Sequence, residues 1–133
     1  MLHKVPIRTT KHEQMIDITN QIQSIIKHNE IAEGTALVYC PHTTAAITIN
    51  ENADPDVVHD MLKTLDKVYP WNSQDYRHAE GNSAAHLKAS TIGCSQCIPI
   101  TNGNLLLGTW QGIYFCEFDG PRQRSFYVKL QKD

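Results

Sequence analysis

Four short segments in the second half of the chain have the pattern of β-strands, and they constrain the fold more than any other feature. They lie at about residues 97–101, 105–107, 112–119 and 125–130. The Asn102-Gly103 pair between the first two segments is a strong signal for a tight hairpin of antiparallel strands. The strands therefore predict an antiparallel core of the sandwich or barrel-like kind.

The first half of the chain contains a clear helix. Asp54 can cap the free amide groups of a helix start, and Pro55 suits the first helical position, where its missing N–H costs nothing. Tyr69-Pro70 ends the pattern. An apolar face at helical spacing lies between these boundaries and consists of Val57, Val58, Met61, Leu62, Leu65 and Val68.

Further elements are expected around this helix. Strands are predicted at residues 2–9, 35–40 and 45–50, and a short helix at 84–90. Apolar residues recur at helical spacing from Met15 and predict a helix that ends near His28. Residues 15–19 fit a strand equally well. The chain is therefore expected to be an α+β protein with a mainly antiparallel β-sandwich-like core and two to three helices.

Length and charge narrow the range of functions. A chain of 133 residues fits one domain spanning 1–133. A net charge of −2 with scattered lysines and arginines offers no basic face for nucleic acid. The N-terminus has no apolar signal core, and no segment approaches about 18 uninterrupted apolar residues. We therefore expect a cytoplasmic protein that binds neither nucleic acid nor a membrane.

Three of the seven histidines lie in polar, turn-like segments. His42 follows a strand-like run, and His78 and His86 flank a Gly-Asn-Ser turn. Three imidazole nitrogens and an open fourth position are the usual arrangement of a catalytic zinc site. Glu80 and Asp119 are candidate hydrogen-bond acceptors or general bases for such a site. The eight-residue spacing of His78 and His86 matches no short zinc motif, so exposed histidines without a metal are the alternative.

Two carboxylates lie at the end of the strand predicted at 112–119. Glu117 and Asp119 point to the same side of an alternating strand and could reach a shared site. The alternative is that they form ion pairs with Arg122 and Arg124 in the turn that follows.

Two other features receive structural interpretations. Cys94 and Cys97 form a single C-x-x-C pair that precedes a strand instead of opening a helix, so neither a zinc knuckle nor a redox dithiol is favoured. All four cysteines are expected to be buried free thiols. Trp110 is expected to pack in the core.

Three longer motifs cover most of the chain from residue 40 onward. They are His42-Thr-Thr-Ala-Ala-Ile-Thr-Ile-Asn-Glu-Asn-Ala-Asp-Pro-Asp-Val57, His78-Ala-Glu-Gly-Asn-Ser-Ala-Ala-His-Leu-Lys-Ala89 and Leu107-Gly-Thr-Trp-Gln-Gly-Ile113, the last continuing through Glu117-Phe-Asp-Gly-Pro-Arg122. In these motifs the chain resembles the YjbQ-type family of proteins.

The resemblance implies a small β-sandwich-like α+β domain that assembles as a homotrimer, with clefts between neighbouring subunits. It also implies thiamine-phosphate synthase activity, a transfer that joins a pyrimidine diphosphate to a thiazole phosphate and releases pyrophosphate. At the matching positions the metal ligands would be His42, His78 and His86, and the catalytic residues Glu80, Asp119 and Arg122. The substrate-binding residues would be Asn82, Lys88, Glu117 and Arg124.

The sequence thus favours an enzyme that acts on a small phosphorylated substrate with a divalent metal ion at its histidines. Histidine favours zinc, whereas a diphosphate usually binds magnesium held by carboxylates, so magnesium is expected only if the diphosphate chemistry is native. The alternatives are a metal-dependent hydrolase and a non-catalytic trimeric protein that binds a metal or a metabolite. The lack of a recognisable nucleophile–base pair favours the non-catalytic alternative.

Overall fold

Eight strands and three helices make up the computed structural model, which describes all 133 residues. The strands are β1 (Leu2–Arg8), β2 (Gln14–Asp17), β3 (Gly34–Tyr39), β4 (Ala45–Glu51), β5 (Ser95–Thr101), β6 (Asn104–Leu105), β7 (Gln111–Glu117) and β8 (Gln123–Lys132). The helices are α1 (Thr19–His28), α2 (Pro55–Val68) and α3 (Ser83–Ile92). The predicted α+β class is confirmed.

The strands form two antiparallel sheets. One has five strands in the order β1-β8-β3-β5-β6, and the other has three in the order β2-β7-β4. Ile47 and Phe115 of the small sheet join Val38 and Phe126 of the large sheet in one buried apolar cluster. The Phe115 and Phe126 ring centroids lie 6.3 Å apart, within the range of attractive aromatic pairs. This shared core makes the fold the predicted sandwich.

Helices α2 and α3 cover the other face of the small sheet. A second apolar cluster forms there from Ala46, Ala85, Ala89, Tyr114, Cys116 and Phe118, with Leu62 and Leu65 of α2 packed against it. The small alanine side chains let α3 approach β4 closely. This packing fixes the direction of α3 and therefore the position of its first residues.

The helix boundaries follow local chemistry. Asp54 caps α2 as predicted, since its Oδ1 accepts a hydrogen bond from the Asp56 amide at 2.9 Å. Residues 15–19, which fit a strand or a helix by sequence, contain the end of strand β2 and the start of helix α1. Asp17 Oδ1 accepts from the Thr19 amide at 2.9 Å and from the Thr19 hydroxyl, so the chain turns from β2 into α1.

Two structural expectations need correction. Cys40 and Cys116 are buried free thiols, but Cys94 and Cys97 are free and exposed. Burial raises the pKa of Cys40 to about 11 and that of Cys116 to about 12. Trp110 is 63% exposed, because it lies on the turn before β7 and not on a strand face. None of the three helices combines the length and hydropathy that a membrane span requires.

Candidate functional site

One end of the sandwich carries a polar cleft of about 410 Å³. Its walls come from three parts of the chain: residues 41–44 before β4, the segment that leads into α3, and the first residues of β8. Seven predicted site residues line it, namely His42, His78, Glu80, Asn82, His86, Arg122 and Arg124. The fold therefore gathers most of the predicted site in one place.

A buried ion pair forms the base of the cleft. Glu117, at the end of β7, is fully buried, and Arg124, near the start of β8, is 9% exposed. Arg124 donates from Nε to Glu117 Oε1 at 2.9 Å and from Nη2 to Glu117 Oε2. Since β7 and β8 belong to different sheets, this pair ties the two halves of the sandwich together.

Hydroxyl and amide groups complete the hydrogen bonding of this pair. Glu117 accepts from the Thr9 hydroxyl at 2.8 Å and from the Asp119 amide at 3.0 Å. Arg124 Nη2 also donates to the Thr44 hydroxyl at 2.8 Å. Burial alone would raise the pKa of Glu117. The hydrogen bonds from Arg124, the Asp119 amide and Thr9 outweigh burial and hold that pKa below its usual range.

The geometry of the ion pair limits the roles that Glu117 and Arg124 can have. Both oxygens of Glu117 are occupied by protein donors, so it can act on a ligand only by holding Arg124 in place. Arg124 lines the cleft, and its Nη1 makes no hydrogen bond within the protein. Arg124 can therefore present one donor to a ligand, whereas Glu117 is a positioning residue.

Asp119 organises a second polar group at the rim. Its Oδ2 accepts from Arg122 Nη2 at 2.9 Å and from Asn82 Nδ2 at 2.9 Å, and its carbonyl accepts from Arg122 Nε at 2.7 Å. The ion-pair alternative for the two carboxylates is thus realised in both cases, Glu117 with Arg124 and Asp119 with Arg122.

Asn82 is the residue with the clearest unmet hydrogen-bonding capacity in the cleft. It is 6% exposed, and its Oδ1 is buried without a hydrogen-bond partner. It directly precedes α3 and makes no side-chain cap, so the first amide groups of the helix also lack an intrahelical partner. The unpartnered amides of Ser83 and Ala84 and the positive helix end favour an anion near the start of α3, whereas the acceptor Oδ1 of Asn82 favours a donor or a cation.

His42 is held by the backbone of β8. Its Nε2 lies 3.1 Å from the Ser125 amide nitrogen and 3.0 Å from the Ser125 carbonyl oxygen, at the point where β3 has ended. A neutral imidazole nitrogen either accepts from the Ser125 amide or donates to the Ser125 carbonyl, so His42 satisfies one of the two backbone groups that would otherwise pair with a longer β3. Burial, and then the positive charge of Arg124, lower the pKa of His42, so its ring is neutral at pH 7.

His78 and His86 form an edge-to-face pair with ring centroids 5.3 Å apart. Glu80 is exposed, and its Oε1 is 3.9 Å from His78 Nε2. The two rings lie in the same cleft as His42. No three histidine, cysteine or carboxylate side chains converge closely enough to hold a metal ion, so one chain does not form the three-histidine ligand set.

Lys88 is the one predicted site residue that lies away from the cleft. It is fully buried, and its Nζ donates to Glu13 Oε1 at 2.9 Å and to Asp66 Oδ1. Burial, and then a hydrogen bond with Asp66, raise the pKa of Glu13. The ion pairs join α3 to α2 and to the segment before β2, so Lys88 fixes α3 instead of facing a ligand.

Thr9, His12 and Thr44 belong to the site but were not predicted. His12 Nε2 is 3.8 Å from Asp119 Oδ1, and its ring meets Trp71 edge to face with centroids 4.5 Å apart. Thr9 and Thr44 hold the buried pair. Thr9 and His12 lie outside the motifs and carry no signal in the sequence, since only the folded chain brings them to the site. Thr44 lies in the motif that begins at His42, but its residue type does not indicate that it holds Arg124.

Comparison with known proteins identifies the family. The sequence profile described as UPF0047 protein YjbQ-like matches residues 3–133. The protein YugU of Bacillus subtilis is 59% identical over 130 residues, which cover 98% of each chain, and MJ1081 of Methanocaldococcus jannaschii is 55% identical, with 100% of this chain and 96% of the relative covered. A crystal structure of a YjbQ/UPF0047 family protein from Clostridium acetobutylicum superposes with a TM-score of 0.95 at 56% identity, covering 97% of this chain and 99% of the other. The chain belongs to the UPF0047 (YjbQ-like) family.

Replacement of Glu117 by glutamine should destabilise the fold, because it leaves the Arg124 charge buried without a counter-charge. We expect a loss of about 3 kcal/mol in the free energy of unfolding at pH 7, measured by urea unfolding. Glu80→Gln, at an exposed carboxylate, is the control and should change little.

The difference in the free energy of unfolding between the wild type and Glu117→Gln should be smaller in acid. Because the pKa of Glu117 is lower in the folded state, its contribution is complete above the unfolded value near 4.5 and is lost as the pH falls through the folded value. A wild-type advantage over Glu117→Gln that stays constant from pH 7 to pH 3 would contradict this assignment.

Proposed function

We propose that this UPF0047 protein is a cytoplasmic enzyme that binds a small phosphorylated substrate in the cleft and transfers its organic group. The family-associated reaction, formation of thiamine phosphate and pyrophosphate from a pyrimidine diphosphate and a thiazole phosphate, is the reaction we assign to it. One observation carries the proposal: two arginines, three histidines and Asn82, the residue that precedes α3, line one polar cleft.

The cleft has the chemistry that phosphate recognition requires. Arg122 is half exposed, with Nε and Nη2 held by Asp119, and Arg124 has one free nitrogen. Guanidinium groups that are already oriented bind phosphate oxygens with little further loss of side-chain freedom. The positive end of α3 adds to the same field. The chain carries a net charge of −2, so this local positive region is specific to the cleft.

The assigned reaction makes one main demand on such a site. The thiazole nitrogen forms a bond to the carbon attached to the pyrimidine, the carbon–oxygen bond to the diphosphate breaks, and the electron pair leaves with pyrophosphate. Negative charge therefore builds up on the leaving oxygen, where Arg122, Arg124 and the amides of α3 can stabilise it. His78 or His86, when protonated, can donate a proton to pyrophosphate.

The other site residues take supporting roles in this proposal. Asp119 holds Arg122 and Asn82, and Glu117 holds Arg124. Glu80 Oε1 lies 3.9 Å from His78 Nε2, so Glu80 places a carboxylate beside this histidine. Lys88 is left out of the substrate contacts because it is buried in its own ion pairs.

A divalent cation, with zinc favoured over magnesium, remains part of the proposal. His78 and His86 are the nitrogen ligands that the cleft offers for it. This set suits a borderline ion such as zinc if water or substrate oxygens complete the coordination. When bound, such an ion would supply additional positive charge for the leaving pyrophosphate.

Substitution of the site residues tests the assigned activity. We expect His78→Ala and Asp119→Ala each to lower the rate of thiamine phosphate formation about 100-fold, the usual effect of removing a proton-transfer or electrostatic group. His59→Ala is the matched control, because His59 is an exposed histidine on α2 outside the cleft. Wild-type turnover in both site variants would mean that the activity does not use this cleft. Binding of the phosphates without turnover would favour the non-catalytic alternative.

Elemental analysis tests the cation. Purified protein should contain or take up about one zinc ion per chain, and His86→Ala should bind clearly less, while His59→Ala should match the wild type. Absence of bound metal, together with no uptake on titration with zinc or magnesium, would remove the cation from the proposal and leave the arginine-based phosphate site intact.

We also propose that the protein assembles as a homotrimer through the outer face of the five-stranded sheet. Leu37 and Tyr39 of β3 point away from the core and are 38% and 43% exposed. Their cross-strand neighbours are Cys97 and Tyr127, together with the polar Ser95 and Lys129, so this face carries an apolar patch that a lysine and a serine border. Apolar patches with a polar border mark protein interfaces.

A charge on this face should prevent assembly. We expect a trimer of 15.0 kDa chains for the wild type and a monomer for Tyr39→Lys, measured by sedimentation velocity. Val68→Lys adds the same charge at an exposed apolar residue on α2 and should leave the trimer unchanged. A wild-type monomer, or a trimer that tolerates Tyr39→Lys, would overturn the assigned interface.

A further inference from the structure

A second cavity adjoins the cleft at His78 and His86. It encloses about 490 Å³, and its other walls include Asp75, Tyr76, Arg77 and Leu87. The same two histidines line the polar cleft, so the two cavities form one site with two lobes. We propose that the second lobe, called here the Tyr76 lobe, binds a planar aromatic ring of the substrate while the phosphate lies in the polar cleft. This inference rests on the proposed function and adds the part of the site that would hold the ring of the substrate.

The walls of the Tyr76 lobe differ in chemistry from those of the cleft. Tyr76 offers an aromatic ring, and Leu87, on α3, is an apolar side chain that is 39% exposed. Arg77 adds a planar guanidinium group, which can stack on an aromatic face. The cleft presents arginines, histidines and amide groups but no such apolar wall. A ligand that fits both lobes therefore has one uncharged planar part and one anionic part.

The segment that carries Tyr76 is held in place by its own hydrogen bonds. Tyr76 Oη donates to the Pro70 carbonyl at 2.8 Å, and the Tyr76 amide donates to the Ser73 carbonyl at 3.1 Å. The Asp75 amide donates to the Ser73 hydroxyl at 3.2 Å. The ring is thus fixed at both ends before any ligand arrives, which lowers the entropy cost of binding. This gives the irregular segment between α2 and α3 a function.

The carbon–oxygen bond that would break in such a ligand would lie where the two lobes meet. Ser83, the first residue of α3, lines the Tyr76 lobe, and Asn82, the residue before it, lines the cleft. A phosphate beside the helix start and a ring beside Tyr76 would leave the linking carbon–oxygen bond next to His78 and His86. The fitting substrates are therefore phosphate or diphosphate esters of aromatic or heteroaromatic alcohols.

Three probes separate the two lobes in a binding experiment with the intact protein. They are inorganic phosphate, benzyl phosphate and cyclohexylmethyl phosphate, the last matching benzyl phosphate in size but without a planar ring. By calorimetric titration we expect benzyl phosphate to bind about 2- to 10-fold more tightly than cyclohexylmethyl phosphate, the usual gain from an aromatic pair. Tyr76→Leu should abolish this preference and leave inorganic phosphate binding unchanged. Tyr76→Phe, which keeps the ring, should retain the preference.

The outcomes distinguish the inference from the function on which it rests. If no probe binds and Arg122→Ala changes nothing, the phosphate site and the proposed function both fail. If inorganic phosphate binds but benzyl phosphate shows no preference, or keeps its preference in Tyr76→Leu, the Tyr76 lobe is overturned and the phosphate site stands. Should Tyr76→Leu fail to fold, nuclear Overhauser effects between the benzyl protons and the Leu87 methyl groups decide the matter in the wild type, and their absence overturns the inference.

Discussion

The buried pair of Glu117 and Arg124 is the interaction on which the rest of this end of the molecule depends. Removing two charges from water is costly, so such a pair is tolerated only if its remaining hydrogen-bonding capacity is met. Thr9, Thr44 and the Asp119 amide meet it for Glu117 and for Nη2 of Arg124, which leaves Arg124 Nη1 for water or a ligand in the cleft. Because these groups come from different strands and turns of both sheets, the pair forms only when the sandwich is closed correctly.

The cleft is a consequence of that closure. The pair fixes the β7–β8 turn, and this turn places Arg122 and Asp119 at the rim. It also fixes the start of β8, where Ser125 receives the ring of His42. Arg122, Arg124 and His42 line the cleft, and each is held by another group. These groups are Asp119, Glu117 and the backbone of Ser125. The residues that line the cleft and the residues that hold them are different sets here, even where they are neighbours in sequence.

The sequence predicted the elements well, because their signals are local. Asp54-Pro55 fixed the start of α2, and the Asn102-Gly103 pair located the β5–β6 hairpin. The prediction that Trp110 packs in the core was wrong, because burial of an aromatic residue depends on the element in which it lies. The three histidines were correctly expected near one another, but their spacing carries no information on whether their nitrogens converge. Lys88 shows the same limit: its place in the motif says nothing of which side of α3 it faces.

Helix α3 links the polar cleft at its start to the buried ion pairs of Lys88. On one side its alanines pack on β4 and β7, and on the other Lys88 binds Glu13 and Asp66. A helix anchored along its length in this way cannot shift its first turn, so the amides at Ser83 and the buried Oδ1 of Asn82 stay directed at fixed points. An unsatisfied buried oxygen costs stability unless something binds it. The fold carries that cost beside the polar cleft that Asn82 lines, and an acceptor oxygen of this kind can be satisfied only by a hydrogen-bond donor or a cation.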